Sequence, residues 1–127
     1  MAGDRKIARS STGQPNAGHC QSIKVRPFGP LIMFGSGGVE VEGLKDVAFA
    51  LGPLTQAEAE TLMRRTWAGT KLDGFRNISP ADKSAVADAL VRLSILAEEH
   101  PEISEIEINP LRVLDKGAVA IDVRIVS

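Results

Sequence analysis

The sequence predicts an α/β fold, a two-layer sandwich with strands in one layer, helices gathered on one side and a C-terminal β-hairpin. Three observations predict it. Short apolar runs bounded by glycine and proline recur in the first half, Pro30–Phe34 and Asp46–Leu51, as buried strands do. Two stretches with helical apolar spacing follow, one opening at Thr55 and one at Ser79. The last part alternates: Ile106 and Ile108 point to one face, Glu105, Glu107 and Asn109 to the other, and Val119, Ile121, Val123 and Ile125 repeat the pattern. Strands with helices on one side make two layers and leave the other sheet face open.

Composition narrows the function classes. The 127 residues suit one domain, and 43% hydrophobic with 24% charged residues is the balance of a chain that buries a core. A formal net charge of −1 gives no general attraction for nucleic acid or an anionic membrane. No run approaches the roughly 18 apolar residues of a membrane span, and the polar start lacks a signal-peptide core, so the expected location is cytoplasmic. Cys20 is the lone cysteine and has only His19 beside it, so neither a disulfide nor a metal-ligand spacing is available.

Taken in order, residues 1–24 show neither periodicity and read as a flexible tail, leaving 25–127 as the folded part. Pro30–Phe34 reads as a buried strand entering a glycine loop at Gly35, Gly37 and Gly38. Glycines there let backbone amides approach a phosphate, and serve a plain turn equally well. Val39–Glu42 alternates as a strand, and Asp46–Leu51 is another, closed by Gly52 and Pro53. Thr55 with Glu58 three residues on forms a capping box. It opens a helix with Ala59, Leu62, Met63 and Thr66 buried and an end at Ala68–Gly69. A turn-rich connector, 71–77, contains Arg76. Ser79, Pro80 and Asp82 read as cap, first helical residue and third-position carboxylate of the longest helix. Its stripe is Val86, Leu90, Leu93 and Ala97, widened by Ala89 and Leu96, and His100–Pro101 ends it.

Lys116–Gly117 reads as a two-residue turn, which sets Leu111 opposite Asp122 and Asn109 opposite Arg124. Asn109 and Asp122 are then diagonal neighbours, roughly 7–8 Å apart. Two oxygen-bearing side chains there suit one hard cation such as Mg2+, with water or phosphate completing the shell. A hairpin with a solvated acidic face explains the same alternation.

Several stretches in fixed order resemble the nucleotide-binding half of the ADP-forming acyl-CoA synthetases, relatives of the succinyl-CoA synthetase β subunit. They are Phe28-Gly29-Pro30, Phe34-Gly35-Ser36-Gly37-Gly38, Val41-Glu42, Asp46, Pro53-Leu54, Gly74-Phe75-Arg76, Asp82, Glu105–Leu111 and Asp122–Ile125. The resemblance implies the C-terminal subdomain of an ATP-grasp domain. It implies Mg2+ on Asn109 and Asp122, ATP or ADP as the nucleotide, and a meeting of Glu107 with a mobile phosphohistidine loop. The implied reaction interconverts acyl-CoA, ADP and phosphate with acid, CoA and ATP. The family's earlier ATP-grasp half, its CoA-binding domain and its transferred histidine have no counterpart here; His19 and His100 fit neither place, and Arg26-Pro27 stands where an acidic residue is usual. The expectation is therefore a split or truncated product that is inactive alone, its missing portions on another chain. A non-catalytic interaction module or remnant is the alternative. A free-standing ligase or acyltransferase would need a pocket that too few polar residues are present to build.

Overall fold

The computed structural model describes residues 19–27, 30–36, 46–74 and 79–127. Among these residues six strands form one antiparallel sheet: β1 (Cys20–Arg26), β2 (Leu31–Ser36), β3 (Val47–Leu51), β4 (Glu105–Val113), β5 (Ala118–Ala120) and β6 (Val123–Val126). The order is β3-β2-β1-β4-β5, with β6 also on β4. Helices α1 (Gln56–Arg64), α2 (Trp67–Thr70) and α3 (Lys83–Glu99) fill the connection between β3 and β4.

Register explains the two layers. Across the sheet Ala48, Phe34, Ile23, Ile108 and Val123 stand in one row, and Ala50, Ile32, Val25, Ile106 and Ile125 in the next. In a pleated sheet directly opposed residues share a face, so both apolar rows point the same way. There all but Ile125, which is exposed, pack with Leu62 and Met63 of α1 and Val86, Leu90 and Ala97 of α3 in one core. The intervening residues form the open face, which the alternation predicts.

That open face has two halves. Toward β3 it is apolar, with Val47, Phe49 and Leu51 exposed and Met33 half-buried beside Phe49. Toward β4 and β6 it is charged, carrying Lys24, Arg26, Glu105, Glu107 and Arg124.

Several local expectations are corrected. Residues Cys20–Lys24, read as tail, belong to β1, a central strand. Their polar side chains hid it. His19 is buried with Nε2 2.7 Å from the Ser79 carbonyl, and buried Gln21 donates to the Ala68 carbonyl at 3.4 Å. Residues 1–18 lie outside the described residues, as do Gly37, Gly38, the expected strand Val39–Glu42 and Arg76. The Thr55–Glu58 capping box is present. The helix it opens stops at Arg64, because the Thr66 hydroxyl, donating to the Met63 carbonyl, also accepts from the Gly69 N–H and caps a separate α2. A Cβ on Gly69 would lie 2.0 Å from the Met63 carbonyl oxygen, so only glycine fits this tight join. The long helix is capped by Asp82, not Ser79: its carboxylate accepts the Ala85 N–H at 3.1 Å. Its buried stripe is Val86, Ala87, Leu90, Ser94 and Ala97, with Ala89, Leu93 and Leu96 only half-buried.

Candidate functional site on the open face

The site is built on β4 and its return strands. The connection between them is four residues long, Leu114–Gly117, where two were expected. Val113 opposes Ala118 and Ile108 opposes Val123. Gly117 adopts φ +88°, and its N–H is held by the Asp82 carboxylate at 2.7 Å. The Leu114 N–H donates to the Gly117 carbonyl and closes the loop at 2.9 Å. The register therefore differs by two residues from that of a two-residue turn. Alternation could not reveal this, because a two-residue slip returns every side chain to its own face.

The correction brings the expected pair closer. The Asn109 N–H donates to the Asp122 carbonyl at 3.1 Å, and the Ile121 N–H to the Pro110 carbonyl at 3.0 Å. Asn109 and Asp122 are thus direct cross-strand neighbours, both exposed. Their backbones meet directly at the break between β5 and β6, nearer than the roughly 7–8 Å of the diagonal arrangement. A carboxamide and a carboxylate at that spacing can present oxygen atoms to one cation.

At the same point β4 changes phase. Ile106 and Ile108 are buried before it, Leu111 and Val113 after it, and β1 carries the matching irregularity between Gln21 and Ile23. Ala118 and Ala120 therefore pack against the core opposite Val113 and Leu111, and β5 is separated from β6 at Ile121–Asp122. The single alternating strand Val119-Ile121-Val123-Ile125 is not what forms.

Beside the pair lies a row of charges. Lys24, Glu107 and Arg124 are in register across β1, β4 and β6. Arg124 Nη1 is 3.7 Å from Glu107 Oε1, while Lys24 Nζ and Arg26 Nε lie 4.0 and 3.6 Å from the Glu105 carboxylate. Of these cations only Arg124 falls on an expected strand, Lys24 falling in the expected tail; register shows which carboxylate each one meets.

Two other aspartates of the recurring pattern are structural. Asp46 accepts from the Trp67 N–H (2.8 Å), the Ala68 N–H (2.9 Å) and the Ser36 hydroxyl (2.8 Å). Partial burial pushes its pKa up, but the Trp67, Ser36 and Ala68 hydrogen bonds, with the Lys71 charge, bring it below the ordinary 3.8. Asp82 is also lowered, first by the Gly117 N–H and then by the Ala85 N–H. Gly35 sits inside β2, where a Cβ would be 2.3 Å from the Asp46 carbonyl oxygen; close strand approach explains it.

Among the described residues no three His, Cys, Asp or Glu side chains cluster as a metal cage. The donor set at Asn109 and Asp122 still fits Mg2+, which is commonly held by one or two protein oxygens with water and phosphate supplying the rest. Among the described residues no helix is long and apolar enough to cross a membrane.

Comparison with known proteins agrees with this architecture. A family model described as an ATP-grasp domain matches residues 21–126. The ADP-forming acetate–CoA ligase I of Archaeoglobus fulgidus is 48% identical over 99 residues, which cover 78% of this chain and 14% of that one. The β subunit of ADP-forming acetate–CoA ligase I from Pyrococcus furiosus is 43% identical over 104 residues, covering 82% of this chain and 45% of that subunit. Among solved structures, the Ca. Korarchaeum cryptofilum acetyl-coenzyme A synthetase 1 in complex with coenzyme A and Mg-AMPPCP superposes with a TM-score of 0.81 at 37% identity. That match covers 90% of this chain and 54% of the other, whose phosphohistidine segment points towards its nucleotide-binding site. The chain thus spans less than half the length of either ligase relative. With its sheet, its helical layer and residues 21–126 all matched, the chain belongs to the ATP-grasp domain family, as a part of that domain similar to the one in ADP-forming acetate–CoA ligases.

Proposed function

We propose that this chain supplies the Mg–nucleotide phosphate site of an ADP-forming acyl-CoA synthetase. The observation that carries the reading is the direct opposition of Asn109 and Asp122 on the open face. In it, Asn109 and Asp122 hold Mg2+ against the phosphates of ATP or ADP, and Glu107 faces the incoming phosphohistidine loop. Bound there, Mg2+ would neutralise charge on the phosphate oxygens during phosphoryl transfer. The chain's own residues orient the phosphates: β4 and β6 fix the spacing of the two ligands, and Arg124 holds the Glu107 carboxylate at the edge of the site. In this reading Gly37 and Gly38 let backbone amides approach the phosphates, while Gly35 serves the close approach of β2 to Asp46.

The reaction served is acyl-CoA + ADP + phosphate ⇌ acid + CoA + ATP. The reaction also needs the CoA-binding and N-terminal ATP-grasp portions and the phosphorylated histidine, which the described residues do not supply. Its place is the cytoplasm, with no role on nucleic acid or membrane. A second reading, a non-catalytic interaction module, is favoured by the apolar half of the open face, where Val47, Phe49 and Leu51 are exposed.

Isothermal titration with Mg-ADP and Mg-ATP tests the proposal. Binding that disappears in Asp122→Ala supports the phosphate site. Binding that Asp122→Ala leaves unchanged contradicts it and favours the second reading.

A further inference from the structure

The charge row beside the metal pair has one member, Arg124, that the proposed site uses only to hold Glu107. Arg124 is two residues beyond Asp122, which enters β6, and its partner Glu107 is two residues from Asn109. The two differ in exposure: the Arg124 side chain is 64% exposed and that of Glu107 only 22%. The carboxylate is therefore the anchored partner and the guanidinium the outward one. A guanidinium carries five N–H donors in a planar fork, and one contact at 3.7 Å does not exhaust them. The cations on β1, Lys24 and Arg26, lie against Glu105, two residues further along β4 from Asn109 than Glu107 is.

Charge counting shows what such a group does. Asp122, Glu107 and Arg124 sum to −1, so this corner alone repels a phosphate. A divalent cation brings it to +1, and removing the Arg124 charge returns it to 0. An oxyanion then meets attraction only when both the cation and Arg124 are present.

We propose that Arg124 is the anion-contacting residue of the open face, its guanidinium taking phosphoanhydride oxygens of the ligand that completes a cation's shell at Asn109 and Asp122, with Glu107 as its brace. The inference rests on the Mg–phosphate reading above. The rival role, a surface ion pair that merely neutralises Glu107, contributes little and involves no ligand.

Magnesium pyrophosphate is the probe, because it carries the phosphoanhydride without a base. It is titrated at millimolar concentrations into the 15N-labelled chain, following the amides of residues 107–109 and 122–124. Arg124→Gln, Arg124→Lys and Asp122→Ala are compared after melting curves show that each folds like the parent. The expected result is weakening by about tenfold in Arg124→Gln, a decade being about 1.4 kcal/mol. Arg124→Lys should be partly restored, since lysine keeps the charge and loses the fork. If Asp122→Ala abolishes magnesium-dependent binding while Arg124→Gln binds like the parent, the Arg124 assignment is overturned and the metal reading stands. If binding needs no magnesium, survives Asp122→Ala and vanishes in Arg124→Gln, the anion contact stands and the metal pair falls. No shift in the parent overturns both.

Discussion

Ser94→Ala is the substitution whose effect the structure specifies most closely. Ser94 lies on the buried stripe of α3, fully inaccessible to solvent, with a polar side chain among Leu90, Ala97 and Leu54. Its hydroxyl donates to the Val91 carbonyl at 2.8 Å and accepts the Leu54 N–H at 2.9 Å. Leu54 follows Pro53 at the entry to α1 and is itself buried, so alanine at 94 leaves its N–H without an acceptor. An orphaned buried donor costs about 1–3 kcal/mol. At about 2 kcal/mol, a domain of this size should melt about 10 °C lower. The assay is thermal unfolding, with hydrogen exchange at the Leu54 amide reporting the lost bond. Leu93→Ala is the comparison, because the apolar pattern alone would place Leu93 in the stripe and treat Ser94 as dispensable. Leu93 is only half-buried, so its truncation should matter less. A Ser94→Ala protein as stable as the parent, with Leu93→Ala strongly destabilised, would refute the packing described for α3.

Three further outcomes follow from other residues. The folded-state pKa of Asp46 is depressed, so its stabilisation is complete well above the ordinary 3.8 and is lost as pH falls below it through the lowered value. Asp46→Asn should therefore be less stable at neutral pH, and its melting temperature should fall less on acidification below about pH 4. Asp82→Ala removes the cap of α3 and the clamp on Gly117 together; exchange of the Ala85 and Gly117 amides should accelerate in concert, whereas independent behaviour would argue against a shared carboxylate. Gly35→Ala should yield little folded protein, because its Cβ would meet the Asp46 carbonyl oxygen at 2.3 Å; a folded, soluble variant would show that β2 and β3 can separate there.

The limits of the sequence reading trace to particular residues. Local chemistry was readable: Thr55 and Glu58 form their capping box, and the alternation of Ile106 and Ile108 in β4 placed the core face correctly. Long-range polar pairing was not. His19 and Gln21 look like tail residues until the Ser79 and Ala68 carbonyls appear beside them, and Ser94 looks solvent-facing until Leu54 reaches it. Thr66 has the apolar spacing of α1 but ends it, because its hydroxyl bonds forward to Gly69. For the site, the exposure of Asn109 and Asp122 was legible. Their register was not, since it depends on Asp82, far away in sequence, holding Gly117 in a four-residue loop.

The account turns on Asn109 and Asp122 holding one cation against a phosphate. Its most direct test replaces Mg2+ by Mn2+, which takes the same oxygen ligands and broadens nearby resonances. In the 15N-labelled chain with Mn-ADP, the account predicts that broadening centres on the Asn109 and Asp122 amides and is lost in Asn109→Ala and Asp122→Ala. Broadening centred elsewhere, or unchanged in both variants, would contradict it.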